Sequence, residues 1–152
     1  MEIRVIHKTT FGVFGLTESN GAIVRLWLPS EVSGHHDDSA TPLIKQAFQE
    51  LDDYFAGSRQ AFSIPLAPVG TPFQLSVWRA LSAIPYGQTA TYGEIARRIG
   101  RPGASRAVGM ACNRNPVAVF VPCHRVVASN GSLGGYRGGT SLKSRLLKLE
   151  QA

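Results

Sequence analysis

Hydrophobic positions change period along the chain. Near the amino terminus Ile3 and Val5 alternate with Glu2 and Arg4, and Phe14 and Leu16 follow Gly12. After the turn residues Ser19-Asn20-Gly21, the apolar residues Ala22, Val24, Leu26 and Leu28 fall two apart. A period of two broken by turn residues predicts a hairpin or meander over residues 1–28, with 22, 24, 26 and 28 on one face. Residues 29–40 are polar and predict a loop; His35-His36-Asp37-Asp38 reads as exposed polar chain rather than a metal site. At Thr41-Pro42 the period becomes helical, with Thr as N-cap, Pro at the first position, Leu43, Ala47, Leu51, Tyr54 and Phe55 on one face, and Gly57 as the stop. Residues 60–70, with Pro65, Pro68 and Gly70, predict an extended linker.

Thr71-Pro72 repeats the helix-start signal, and Phe73, Val77, Ala80, Leu81 and Ile84 recur at helical spacing up to Pro85-Tyr86-Gly87. Thr91 caps a short helix from Tyr92 to about Ile99. The turn Gly100-Arg101-Pro102-Gly103 leads into a second helix from about Pro102 to Asn113. Two short helices on a glycine-containing turn predict a helix-turn-helix. The second helix carries the small residues Ala104, Ala107, Gly109 and Ala111 beside Arg106 and Arg114. Small residues let a backbone approach a phosphate chain or groove, and they equally suit tight helix packing. A last helix is predicted from Thr140 to Glu150, with Leu142, Leu146, Leu147 and Leu149 inward.

Between these helices, Pro116 and Pro122 bracket the apolar run Val117-Ala118-Val119-Phe120-Val121, which predicts a buried strand or extended segment. It delivers Cys123, followed by His124 and Arg125. Cationic neighbours favour the thiolate, the nucleophilic form. A structural cysteine beside a surface histidine is the alternative. Successive residues of an extended segment point to opposite faces, so Cys123 and His124 cooperate only if the chain turns at Pro122 or a water bridges them. Only two acids follow residue 70, Glu94 and Glu150, and Glu150 is the candidate to orient His124. The loop Gly134-Gly135-Tyr136-Arg137-Gly138-Gly139 offers backbone N–H groups to a ligand.

Charge sharpens the division between the halves. The chain carries a net +6, but residues 1–70 hold five basic and eight acidic groups whereas residues 71–152 hold eleven and two, a local +9. Such a segment predicts a polyanionic partner, most simply nucleic acid. No apolar run reaches transmembrane length and Met1-Glu2-Ile3-Arg4 does not open a signal peptide, so no membrane association is expected. Two cysteines make no disulfide framework, which predicts a reducing cytoplasm. Cys112 and Cys123 lie eleven positions apart among scattered histidines, and no zinc set is visible. Cys112 is expected to have a packing role.

Pro122-Cys123-His124-Arg125-Val126-Val127 resembles the active-site signature of the O6-alkylguanine-DNA alkyltransferases. The resemblance extends, in order and spacing, through Thr91-Tyr92-Gly93-Glu94-Ile95-Ala96, Arg106-Ala107-Val108-Gly109, Asn115-Pro116, Gly134-Gly135-Tyr136-Arg137 and Leu146-Leu147-Lys148-Leu149-Glu150. It implies an α/β (α+β) chain. A small ribonuclease-H-like domain with its linker would occupy residues 1–70. A mainly helical, helix-turn-helix (winged-helix-like) domain carrying the active site would occupy residues 71–152. It implies DNA repair by direct reversal: base flipping, then irreversible transfer of the alkyl group from O6-alkylguanine, and also O4-alkylthymine, in duplex DNA to Cys123.

The resemblance also implies the roles. His124 acts as base through a water, Glu150 orients it, Tyr92 donates a proton to the leaving guanine, and Asn115 ties the recognition helix to the active-site segment. The Arg137 N–H meets O6, the carbonyls of Cys123 and Val126 meet the exocyclic amine, and Ala118, Tyr136 and Gly138 wall the pocket. Tyr92, Ser105, Arg106, Ala107, Gly109 and Arg114 face DNA, with Arg106 filling the gap left by the flipped base. No cofactor or metal is expected, and a monomer is. The alternatives are a non-catalytic lesion-binding protein, against which Cys123 speaks because such relatives carry tryptophan there, a cysteine hydrolase, and a helix-turn-helix regulator.

Overall fold

The computed structural model describes residues 1–152 and divides into two compact units, Met1–Pro68 and Val69–Ala152. In the first, β1 (Glu2–Thr9), β2 (Gly12–Ser19) and β3 (Ala22–Trp27) form an antiparallel meander in that order. The first helix, α1 (Pro42–Phe55), covers it. Thr41 caps α1 by accepting the Ile44 N–H, and Gly57 past its end takes φ +80°, a conformation open to glycine. Phe14, Leu16, Ile23, Leu26 and Leu28 meet Ile44, Ala47, Leu51 and Tyr54 in a fully buried core.

Two expectations change here. Ile23 points inward and Val24 does not, because Thr17 pairs with Arg25 while the next residue, Glu18, pairs with Ile23. Val24 is the extra residue of a bulge, and one extra residue flips the inward set. The linker also does more than connect: the Pro65 carbonyl accepts from Ile23 N–H and Ala67 N–H donates to the Ile23 carbonyl, which adds a short parallel edge to β3. In the 29–40 loop, Asp37 is held by the Arg4 N–H, and this bond keeps its carboxyl below the ordinary value.

The second unit contains α2 (Pro72–Ser82), β4 (Ala90–Thr91), α3 (Tyr92–Arg98), α4 (Ser105–Asn113), β5 (Val126–Val127) and α5 (Thr140–Gln151). A full capping box between Thr71 and Gln74 starts α2. Val77, Leu81, Ile95 and Val108 bury the contact of α2, α3 and α4, and Trp78 Nε1 donates to the Ala111 carbonyl at 2.9 Å. The second helix of the pair starts three residues later than expected. Ala104 N–H closes a turn onto the Arg101 carbonyl, which keeps Pro102 and Gly103 outside α4.

The run from 117 to 121 is buried but is not a strand. It folds back on itself, with Val121 N–H donating to the Val117 carbonyl and Val119 at φ +76°. A β-branched residue in that region is strained and persists only where its surroundings impose it. Asn115 imposes it: the fully buried amide donates to the Val121 carbonyl at 2.9 Å and accepts from Val117 N–H at 3.0 Å. Side-chain hydrogen bonds thus replace the sheet ladder that the apolar pattern alone suggested.

Candidate active site

Cys123, His124 and Arg125 form a single 3-10 turn directly after Pro122. The chain therefore turns directly after Pro122, one of the two routes the sequence left open for Cys123 and His124 to cooperate. Just beyond, Val126 and Val127 pair in parallel with Ala90 and Thr91. This short ladder brings Tyr92, the first residue of α3, beside the cysteine.

Cys123 is buried and lines a cavity of about 590 Å³ together with Tyr92, Arg106, Gly109, Cys112, Tyr136 and Arg137. Met110 and Asn113 border the same cavity. Burial pushes the Cys123 thiol above its ordinary value, opposed by an Asn115 hydrogen bond and by the charges of Arg137 and Lys143. Cys112 is pushed up to about 12, first by burial and then by Cys123. Tyr92 is raised by burial and by both cysteines, so it stays a protonated donor at neutral pH. No Cβ fits at Gly134: it would lie 2.6 Å from the Tyr92 hydroxyl, and Gly134 also takes φ +73°.

Behind the cavity is an ion cluster. Glu150 accepts from His124 Nε2 at 2.8 Å, from Arg125 Nε and Nη2 at 2.9 and 3.0 Å, and from Gly87 N–H at 3.1 Å. The bond to Glu150 assigns the proton to Nε2, so Nδ1 is the nitrogen able to accept one. Burial lowers the His124 pKa and outweighs Glu150, which raises it, so the ring is neutral at pH 7. An unfolded chain gains a proton below the ordinary value of about 6.5 that the folded one resists. The contribution of His124 to stability is therefore full above that pH and is lost as pH falls towards the lowered folded value. Melting temperatures taken from pH 7.5 down to 5 should fall in the wild type and fall less in His124→Asn.

Several site expectations shift. Arg125 does not face the thiol; its guanidinium is bound to Glu150 and to the Ile84 carbonyl at 2.7 Å. The positive charges that act on Cys123 come from Arg137 and Lys143 instead. The Arg137 side chain ties the glycine loop to the end of α4, donating to the carbonyls of Asn113 and Asn115 at 3.0 and 2.7 Å. Ala118, Val126 and Gly138 are not among the residues lining the cavity: the folded-back run buries Ala118, the pairing of β5 with β4 buries Val126, and Gly138 is half-buried in the loop. Tyr136 borders the cavity. On α4, Arg106, Ala107, Met110, Asn113 and Arg114 form one exposed stripe, with Ser105 and Gly109 half-buried at its edge. Ala107 and Arg114 border a separate shallow groove with Phe73 rather than the cavity. On α5 the inward residues are Leu142, Lys143, Leu146 and Glu150, while Leu147 and Leu149 are half-buried. No group of three His, Cys, Asp or Glu side chains gathers as a metal site would require.

Comparison with known proteins places this site in a family. The family model described as 6-O-methylguanine DNA methyltransferase, DNA binding domain, matches residues 72–152, and that of the family's ribonuclease-like domain matches residues 5–68. The chain belongs to the 6-O-methylguanine DNA methyltransferase family. A methylated-DNA–protein-cysteine methyltransferase of Methanosarcina acetivorans is 59% identical over 106 residues, 70% of this chain and 68% of the relative. The constitutive protein of that description from Bacillus subtilis is 43% identical over 95% of this chain and 92% of its own length. The crystal structure of Mycobacterium tuberculosis OGT in complex with DNA superposes with a TM-score of 0.84 at 38% identity, covering 97% of this chain and 92% of that one. No helix of this family member is long and apolar enough to cross a membrane.

Within the family framework, the residue the sequence reading missed is Lys143. It is fully buried, and its Nζ donates to the carbonyls of Val126 at 2.6 Å and Gly135 at 3.2 Å. Its only sequence signal is a lysine one position after Leu142, on a face read as apolar.

Proposed function

We propose that this chain repairs DNA by moving the alkyl group of O6-alkylguanine, and of O4-alkylthymine, from duplex DNA onto Cys123, once per molecule. Residues 1–70 form the ribonuclease-H-like domain and residues 71–152 the DNA-binding and catalytic domain, acting as a monomer in the cytoplasm without metal or cofactor. The observation that carries this reading is that the only reactive-type thiol beside a His–Glu pair opens into the cavity floored by α4. The solved complex of a family relative with DNA supports the partner.

The target base is extruded into the cavity, since its O6 is out of reach inside a duplex. Cys123 Sγ attacks the alkyl carbon, the C–O6 bond breaks, and its electron pair passes to the guanine. Tyr92 gives a proton to the leaving base. The thiol proton passes through a water to His124 Nδ1, and Glu150 stabilises the imidazolium that forms. The product is a thioether, a poor leaving group, so turnover stops. The direct test is mass spectrometry after mixing with O6-methylguanine duplex: a gain of one methyl per chain at Cys123 is expected, and no gain excludes the function.

Arg106 acts at extrusion rather than at transfer. It is exposed on α4 at the rim of the cavity. Unstacking a guanine costs a few kcal/mol, and a guanidinium in the vacated space offsets part of it by stacking and hydrogen bonding. Losing about 1.4 kcal/mol slows repair of methylated duplex about tenfold in Arg106→Ala. Arg106→Lys should fall between, because lysine keeps the charge without the planar fork. Reaction with free O6-benzylguanine, which needs no flipping, should hardly change. Equal losses on both substrates would remove the wedge role.

A further inference from the structure

Lys143 is a buried cation that the reaction as described does not use. It lies in the first turn of α5 with no exposed surface, and two carbonyls hold it: Val126, from the strand after the catalytic turn, and Gly135, from the glycine loop. No carboxylate pairs with it. Of the two acids in this unit, Glu150 is engaged by His124, Arg125 and Gly87, and Glu94 accepts from Thr91 at the start of α3. A buried ammonium is costly without an opposite charge. The Tyr92 ring centroid on α3 lies 6.0 Å from Nζ, and the cavity that this ring and Gly135 line also holds Cys123 on the 3-10 turn and Cys112 on α4, whose thiols are within range of the lysine charge. Arg137 on the loop and His124 complete the charged or titratable surroundings of the thiol. The surroundings that can become anionic are therefore the two thiols and the tyrosine, and Cys123 is the one nearest to chemistry.

We propose that Lys143 is a positioning residue for alkyl transfer: its ammonium is the counter-charge of the Cys123 thiolate, and its two hydrogen bonds clamp the glycine loop against the catalytic segment. Ionising Cys123 relieves the unpaired charge of Lys143, and the protonated lysine in turn favours the thiolate. The two protons are coupled, so reactivity needs Lys143 charged and Cys123 deprotonated together. Methyl transfer converts the thiolate to a neutral thioether and leaves Lys143 without its counter-charge.

This inference rests on Cys123 being the acceptor, but it can be read without DNA. Iodoacetamide alkylates thiolates, so its rate at Cys123 against pH, followed by peptide mass spectrometry, reports thiolate formation. In Lys143→Met the midpoint should rise by about one pH unit and the rate at neutral pH fall about tenfold. Lys143→Arg should restore much of the midpoint. An unmoved profile in a folded Lys143→Met overturns the proposal. Should Lys143→Met not fold, wild-type protein labelled with 13C at the lysine ε-carbons decides: the Lys143 titration midpoint should drop after Cys123 is alkylated, and an unchanged midpoint overturns the proposal. A shifted iodoacetamide profile in a protein inert to O6-benzylguanine supports Lys143 while sinking the repair function; normal benzyl transfer with an unmoved profile does the reverse.

Discussion

Cys123→Ala is expected to lose all measurable alkyl transfer while binding duplex DNA within about threefold of wild type. The sulfur is the only group in the cavity placed beside both Tyr92 and the His124–Glu150 pair. DNA binding is proposed to draw on the exposed stripe of α4, with Arg106 and Arg114, and on the +9 of residues 71–152 rather than on the thiol. Removing one buried thiol costs about 1 kcal/mol of stability, too little to unfold the unit. The paired measurements are methyl uptake by mass spectrometry and fluorescence-anisotropy titration of a methylated duplex. Methyl uptake by the alanine variant would move the acceptor to Cys112, which lines the same cavity. Loss of DNA binding in step with transfer would mean that Cys123 supports the fold.

Glu150→Ala should have the largest effect on stability. Glu150 is 5% exposed and its carboxylate holds two side chains of residues that are themselves buried, His124 at 0% and Arg125 at 7%. Without it the Arg125 guanidinium keeps the Ile84 carbonyl and the Tyr86 ring but no carboxylate, and the Gly87 N–H loses its acceptor. Breaking a buried ion pair from one side costs about 3–5 kcal/mol, because the remaining charge stays buried and unmatched. That is a large share of the ~5–15 kcal/mol that holds a typical domain together. Trp78, buried against α4, reports unfolding of this unit by fluorescence. The urea midpoint should drop strongly in Glu150→Ala and less in Glu150→Gln, which keeps an acceptor oxygen. Transfer should fall in both, since His124 loses the charge that steadies its protonated form. A midpoint change worth less than about 1 kcal/mol in Glu150→Ala would show that solvent or another group takes over the guanidinium.

By itself the sequence determined what local rules can determine. Thr41-Pro42 and Thr71-Pro72 mark helix starts because a capping hydroxyl and a pre-set φ act within one turn, and α1 and α2 begin at those prolines. The motif around Cys123 marked the family, as its linear order survives folding. What depended on partners far along the chain was not legible. The bulge at Val24 arises from pairing with β2, and the folded-back run at 117–121 from the reach of Asn115 across six residues to Val121. An apolar run says that a segment is buried, not which polar group will satisfy its backbone. Likewise, Lys143 looks like a surface cation in a linear pattern, and Arg125 like a partner of the thiol beside it. Only the packing of α5 against the catalytic turn and the glycine loop supplies the carbonyls and the carboxylate that let both be buried, and it was the tertiary structure that decided which charges face the thiol.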